Sequence, residues 1–140
     1  MFENKSLFPE LTTVNNEEHL VIGGCDITDL VSEFGTPLYI YDENTLRNKC
    51  REFVNEFKQR RSNSLVIYAC KAFINPAIAM LLQEEGLGLD VVSGGELSVA
   101  QRVEFPAEKI YFHGNNKSQD EIDMALNYGI GRFVIDNFHE

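Results

Sequence analysis

The chain has 140 residues, of which 44% are hydrophobic and 24% are charged, a composition typical of an ordinary globular domain. No apolar stretch approaches the roughly 18 to 20 residues that a membrane helix needs, and the N-terminus lacks the basic start and apolar run of a secretion signal. The formal net charge of −10 repels phosphate backbones and anionic lipid headgroups. Cys25, Cys50 and Cys70 are widely spaced and form no C-x-x-C pair, which argues against a disulfide framework or a zinc site. We therefore expect a cytoplasmic protein that binds neither nucleic acid nor membranes.

The N-terminal third predicts a lead-in, a strand and a long helix. The first 35 residues suggest an irregular segment with one or two short strands. Residues 37–42 (PLYIYD) alternate aromatic and aliphatic side chains, which predicts a strand, and Asp42 can cap a following helix. From Asp42 to about Arg61, apolar residues recur at the spacing of one helical stripe: Leu46, Cys50, Phe53, Val54 and Phe57.

The rest of the chain repeats a short apolar strand followed by an amphipathic helix. Predicted strands begin at residues 65, 87, 109 and 132, every 22 or 23 residues, and span 65–70, 87–92, 109–113 and 132–136. Their helices begin at Asn75-Pro76 and at two S-x-x-E capping boxes, Ser93–Glu96 and Ser118–Glu121. Such strands pair in parallel with right-handed crossovers.

The repeat alone predicts an α/β fold without choosing between two architectures. It suits a (βα)8 barrel and a doubly wound sheet about equally. Four open parallel strands leave two bare sheet edges, which proteins seldom tolerate. We therefore expect about half of a larger domain.

Functional groups gather at the carboxyl ends of the strands in either architecture. Lys71 directly follows the first strand of the repeat; it is either a lysine reaching into solvent or a desolvated amine able to form a Schiff base. Asp90 lies inside the second strand, where its charge needs either an Arg or Lys partner or a cationic ligand. His113 ends the third strand, as a local hydrogen-bonding group or a functional one. His19 and His139 have no supporting context.

Four motifs occur in one order and spacing: FGTPLYIYD (34–42), YACKAF (68–73), EEGLGLDVVSGGEL (84–97) and HGNNKS (113–118). Together they closely resemble the N-terminal part of the diaminopimelate decarboxylase family, pyridoxal-phosphate enzymes of the fold-type III, alanine-racemase-like group. The resemblance covers the chain from about Val21 to Glu140. It implies that residues 43–140 are the first part of the cofactor-binding (βα)8 barrel, about four units long. It also implies that residues 1–42 are a lead-in and a strand of a second, β-rich domain.

The resemblance implies roles for a few residues. Lys71 matches the lysine that holds pyridoxal phosphate through a Schiff base. Asp90 matches an acid in the polar shell around the cofactor, and His113 matches the histidine of the family's His-Gly-Asn motif near the cofactor. Cys70 stands where the family often has valine, so it is expected to be a small packed residue.

The implied reaction is decarboxylation of meso-2,6-diaminopimelate to L-lysine by a homodimer. The phosphate site, the substrate-binding residues and a second catalytic group are expected beyond Glu140, so the chain alone should be inactive. Two alternatives remain at this point. One is a sister decarboxylase acting on ornithine, arginine, carboxynorspermidine or a carrier-bound amino acid. The other, less favoured, is a non-catalytic pyridoxal-phosphate-binding protein.

Overall fold

The computed structural model describes residues 7–138 and divides the chain between Lys49 and Cys50 into two units. In the first unit, β1 (Thr13–Val14), β2 (Leu20–Ile22) and β3 (Cys25–Asp26) form an antiparallel sheet in that order, and α1 (Ile27–Phe34) follows. The sequence predicts one or two strands here; the third strand and the helix are not predicted by it.

Helix α1 begins where Asp26 caps its first turn. The carboxylate of Asp26 accepts hydrogen bonds from the backbone N–H of Thr28 at 2.8 Å and from the Thr28 hydroxyl at 2.7 Å. Its second oxygen lies 3.0 Å from His19 Nδ1. The Thr28 hydroxyl is the main cause that lowers the pKa of Asp26 to about 2. The Asp26-x-Thr28 pattern is therefore a usable signal for the start of a helix. The contact with Asp26 also shows His19 to be a local hydrogen-bonding group. His139 lies outside the described residues.

Residues 37–42 do not form the predicted strand. The segment keeps an alternating pattern, with Leu38 and Ile40 half-buried and Tyr39 87% exposed. A strand also needs a neighbour to complete its hydrogen bonds, and no strand between residues 7 and 138 pairs with this segment. Asp42 is buried and caps the next helix as expected, accepting from Asn44 N at 3.1 Å and from the Thr45 hydroxyl.

Helix α2 (Glu43–Arg60) confirms the predicted long helix, but only part of its apolar stripe is buried. Cys50 and Val54 pack against the core of the second unit. Phe53 and Phe57 remain 56% and 53% exposed. The apolar stripe is therefore wider than the surface that the described core offers to this helix.

The second unit contains a parallel sheet of four strands in the order β4 (Ile67–Ala69), β5 (Gly88–Val91), β6 (Ile110–Phe112) and β7 (Arg132–Phe133). Helices α3 (Pro76–Glu84), α4 (Gly94–Arg102) and α5 (Gln119–Tyr128) connect them. Helix α5 ends at Gly129, whose φ of +79° is a left-handed conformation that glycine adopts at low cost. The predicted α/β repeat is confirmed. The strands are shorter than predicted, β4 and β7 by three residues each, because their apolar runs continue past the residues that pair.

The two faces of this sheet differ in polarity. Leu89, Val91, Ile110 and Phe112 are fully buried with residues of α4 and α5 in one core. Side chains alternate along a strand, so the residues between them lie on the opposite face. The register pairs Asp90 with Tyr111 and Tyr111 with Arg132. A polar row therefore crosses the face that does not pack against the helices.

In the part of the chain that the structure describes, no helix is both long and apolar enough to cross a membrane.

Candidate functional site

The three residues singled out in the sequence come from neighbouring strands of the parallel sheet. They lie where the strands end, at the carboxyl-terminal side of the sheet, which is called the sheet edge from here on. Lys71 lies in a 3-10 turn (Cys70–Ala72) directly after β4, and its side chain is exposed. Ala69, the last residue of β4, pairs with Asp90 in β5. His113 follows β6 directly. The parallel register therefore places all three near the carboxyl ends of β4, β5 and β6.

One carboxylate oxygen of Asp90 lacks a hydrogen-bond donor within the described part of the chain. Its Oδ1 is buried and has no hydrogen-bond partner among the described residues. His113 Nδ1 lies 3.6 Å from that oxygen, which is too long for a hydrogen bond but close enough for an electrostatic contact. No Arg or Lys pairs with Asp90 within residues 7–138. A buried carboxylate oxygen without a hydrogen-bond donor is energetically costly. Asp90 Oδ1 is therefore able to accept a hydrogen bond from a bound group.

The backbone holds His113 at this edge. Its N–H donates to Val91 O at 2.8 Å, which continues the β5–β6 ladder by one residue. The next residue, Gly114, has a φ of +111°, and a Cβ there would come 3.3 Å from Val92 O. Glycine is therefore required after His113. The imidazole is 47% exposed, so it remains accessible to a ligand.

The side chains of Lys117 and Glu121 connect the loops of this edge. Lys117 Nζ donates to Gly114 O at 2.5 Å and to Val134 O at 2.9 Å, which joins the loops after β6 and β7. Glu121 accepts from Ser118 N at 2.9 Å in the predicted capping box, and its other oxygen accepts from Gly94 N at 2.6 Å. These contacts connect distant turns, so helix patterns alone could not show them.

Glu121 also decides what the N-terminus of α4 can bind. The hydrogen bonds from Ser118 and Gly94 lower the pKa of Glu121, which keeps it negatively charged. Its carboxylate lies against the Gly94 amide that a phosphate oxygen would otherwise contact. The Gly94 amide is therefore already hydrogen-bonded within the protein.

The polar row continues from Asp90 to Arg132. Arg132 donates to the Tyr111 hydroxyl at 2.9 Å, and its guanidinium lies 5.1 Å from the centre of the Tyr111 ring. The sequence contains a signal for this row. Asp90, Tyr111 and Arg132 are evenly spaced along the chain, as residues on one face of equal βα units must be.

Cys70 does not contribute a nucleophile. It is 2% exposed, and burial is the main cause that raises the pKa of its thiol to about 12, with Glu96 and Asp90 adding to the effect. The thiol therefore stays protonated at neutral pH. No group of three or more His, Cys, Asp or Glu side chains within residues 7–138 is arranged to hold a metal ion.

Comparison with known proteins gives consistent matches. The sequence model of the family described as "Pyridoxal-dependent decarboxylase, pyridoxal binding domain" matches residues 43–140. A curated diaminopimelate decarboxylase of Bacillus methanolicus is 51% identical over 133 residues, 95% of this chain and 31% of that protein. The diaminopimelate decarboxylase of Bacillus subtilis (strain 168) is 50% identical over 126 residues, 90% of this chain and 29% of that protein.

Solved structures agree with the sequence comparisons. The crystal structure of diaminopimelate decarboxylase from M. jannaschii superposes with a TM-score of 0.78 at 34% identity, covering 91% of this chain and 30% of that one. The four-stranded sheet and its helices thus have the fold of part of the barrel of these fold-type III enzymes. The family model covers more than half of the residues, so this chain belongs to the pyridoxal-dependent decarboxylases, whose pyridoxal-binding domain matches it from residue 43 onward.

Proposed function

We propose that this chain works as the first part of a pyridoxal-phosphate-dependent decarboxylase that converts meso-2,6-diaminopimelate to L-lysine and carbon dioxide. The main support is the identity of 51% and 50% to two proteins named diaminopimelate decarboxylase. The chain spans only 31% and 29% of their lengths. The activity is therefore proposed for a protein of that length containing this chain, called the whole protein below.

The residues at the sheet edge fit one side of such a cofactor. Lys71 supplies an accessible amine, and Asp90 supplies a buried carboxylate oxygen without a hydrogen-bond donor. His113 supplies a half-exposed aromatic ring beside Asp90. Lys71 would hold pyridoxal phosphate through a covalent bond in which its amine nitrogen replaces the aldehyde oxygen, which leaves as water. When bound, the cofactor supplies a conjugated ring that takes up the electrons left when the carboxylate leaves.

The chain's own residues would perform the orienting steps. Lys71 must have a neutral amine to form its bond, and its side chain is exposed on the 3-10 turn that follows β4. His113 Nδ1 is the ring atom that faces Asp90 Oδ1, at 3.6 Å. His113 would then present its ring in one orientation. The Asp90 oxygen would accept a hydrogen bond from a donor outside residues 7–138.

The domain division and the partners belong to the same proposal. Residues 1–42 would contribute a lead-in and the 37–42 segment to a second, β-rich domain, and residues 43–140 would begin the barrel. The boundary at residue 43 coincides with the start of the matched family model and with the start of α2. The whole protein would be a cytoplasmic homodimer that binds a small-molecule substrate, and neither nucleic acid nor membranes.

Borohydride reduction tests the role of Lys71. The whole protein is loaded with pyridoxal phosphate, reduced and digested, and the modified peptide is identified by mass spectrometry. Wild-type protein should carry the cofactor on Lys71, and Lys71→Ala should carry none and lose turnover. Lys58→Ala is the matched control, because Lys58 is an exposed lysine of α2. Cofactor fixed to the Lys71→Ala protein would contradict the assignment.

Substrate competition tests the reaction. Release of carbon dioxide is measured from meso-diaminopimelate, ornithine and arginine, and kcat/KM is compared for the three. We expect meso-diaminopimelate to have the highest value. A higher value for ornithine or arginine would assign the chain to a sister decarboxylase, and binding of cofactor without any decarboxylation would indicate a non-catalytic protein.

A further inference from the structure

Lys117 is placed between two loops of the candidate site. Its ammonium donates hydrogen bonds to the carbonyls of Gly114 and Val134 and lies 6.0 Å from the centre of the Phe112 ring. The side chain is half-buried, so the hydrogen bonds compensate the partial loss of water around the charge. Lys117 therefore connects the residue after His113 to the residue after β7.

The backbone on either side of His113 needs such an anchor. His113 is fixed on one side by its N–H bond to Val91 O. On the other side comes Gly114, which has no Cβ and can adopt many backbone conformations. The hydrogen bond from Lys117 to Gly114 O fixes the orientation of the peptide group between Gly114 and Asn115. His113 thus lies between two anchored points, which keeps its ring near Asp90.

The pairing of β6 with β7 is too short to supply the anchor alone. The register joins only two residue pairs, Tyr111 with Arg132 and Phe112 with Phe133. One further hydrogen bond, from Val134 N to Phe112 O at 2.9 Å, extends it. Val134 O, at the free end of this pair, accepts from Lys117. Lys117 therefore joins the loops that follow β6 and β7 by hydrogen bonds, at the point where the two strands stop pairing.

We propose that Lys117 is a positioning residue that acts on the cofactor site through His113. This inference rests on the proposed function, because it assumes that His113 contacts the cofactor. Lys117 itself does not need to touch cofactor or substrate. Loss of its hydrogen bonds frees the 113–114 segment and weakens cofactor binding.

The first experiment measures the dissociation constant of pyridoxal phosphate from the whole protein. Lys117→Met removes the donors and keeps an apolar stem over Phe112, Lys117→Arg keeps donors, and Lys58→Met makes the same chemical change on an exposed helix surface. We expect Lys117→Met to weaken binding about tenfold, Lys117→Arg to recover most of this, and Lys58→Met to have no effect.

A double-mutant cycle tests whether the effect passes through His113. In a His113→Asn background, Lys117→Met should change the dissociation constant less than about twofold. An equal effect in both backgrounds would overturn the proposal, because Lys117 would then act independently of His113. A lower unfolding temperature with an unchanged dissociation constant would show a purely structural role and would also overturn it.

Hydrogen exchange of the His113 amide in the cofactor-free whole protein tests the anchor without relying on the proposed function. Lys117→Met should accelerate this exchange about tenfold relative to Lys58→Met. Unchanged exchange would overturn the inference. If Lys117→Met accelerates the exchange but the wild-type protein binds no cofactor, the anchoring role of Lys117 stands and the proposed function is contradicted instead. If Lys117→Met does not fold, Lys117→Gln replaces it, and failure of both to fold would show that Lys117 serves the fold rather than the position of His113.

Discussion

Glu121 accepts a hydrogen bond from the backbone N–H of Gly94 at 2.6 Å, although 27 residues separate them. The same carboxylate caps its own helix through Ser118. One side chain thus serves the N-termini of two neighbouring helices, α4 and α5. This places a fixed negative charge beside the turn that follows β5.

Replacing Glu121 should destabilise the protein by more than an ordinary helix cap. We expect Glu121→Ala to lower the free energy of unfolding of the whole protein by about 1–2 kcal/mol, because two backbone amides lose their acceptor. Asp120→Ala, an exposed acid in the same first turn, should change it by less than about 0.5 kcal/mol. Urea denaturation measures both. Equal effects would show that the hydrogen bonds from Ser118 and Gly94 to Glu121 do not contribute to stability.

The contribution of Glu121 to the free energy of unfolding should depend on pH. Its pKa is lowered in the folded protein, first by the hydrogen bond from Ser118 and then by that from Gly94. A group whose pKa is lower in the folded protein stabilises the fold fully at pH values above its pKa in the unfolded chain. This stabilisation is lost as the pH falls through its pKa in the folded protein. The gap in unfolding free energy between wild type and Glu121→Gln should therefore shrink in acid. A gap that does not change with pH would contradict this.

Two glycines should respond in opposite directions to the same substitution. A Cβ on Gly88 would come 2.5 Å from Lys109 O and 2.9 Å from Ile67 Cγ2, and the backbone oxygen cannot move aside. We expect Gly88→Ala to destabilise by about 1–3 kcal/mol. Gly95→Ala has only Ser93 Oγ nearby, at 3.8 Å, and should stabilise α4 by about 0.5–1 kcal/mol. Thermal unfolding of both variants compares them, and equal shifts would contradict the close packing at β5.

The cysteines should differ sharply in reactivity. Cys70 is buried and the pKa of its thiol is raised to about 12, whereas Cys25 is exposed. Because the thiolate is the reactive form, iodoacetamide at neutral pH should label Cys25 and leave Cys70 unmodified until denaturant is added. Peptide mass spectrometry checks this. Rapid labelling of Cys70 in the folded protein would show that the turn holding Lys71 opens readily.

The cap of α1 should titrate in strong acid. Hydrogen bonds from Thr28 are the main reason why the pKa of Asp26 is lowered to about 2. Its stabilising effect is therefore complete above about pH 4 and is lost between about 4 and 2. The carboxyl carbon of Asp26, followed by NMR, should titrate near 2 in wild type and nearer its ordinary value in Thr28→Val. The same midpoint in both proteins would contradict the role of Thr28.

Most of the second unit could be predicted from local patterns. The caps at Asn75, Ser93 and Ser118 and the regular spacing of the strands identified three helices and the parallel sheet. These patterns act within one or two turns of chain, so they are legible in sequence. The exposure of Phe53 and Phe57 and the lack of a strand at residues 37–42 were not predictable in the same way, because burial and strand pairing depend on what lies opposite.

The same distinction between local patterns and tertiary packing applies to the candidate site. Sequence by itself determined that Lys71, Asp90 and His113 lie at the carboxyl ends of consecutive parallel strands, because equal βα units place equivalent positions at one edge. Only the tertiary structure decided that Asp90 Oδ1 has no donor within the described residues, that Lys117 links two loops, and that Glu121 caps two helices. Each of those contacts joins side chains and backbone far apart in the chain, and the packing of neighbouring strands, not any local pattern, brings them within hydrogen-bond distance.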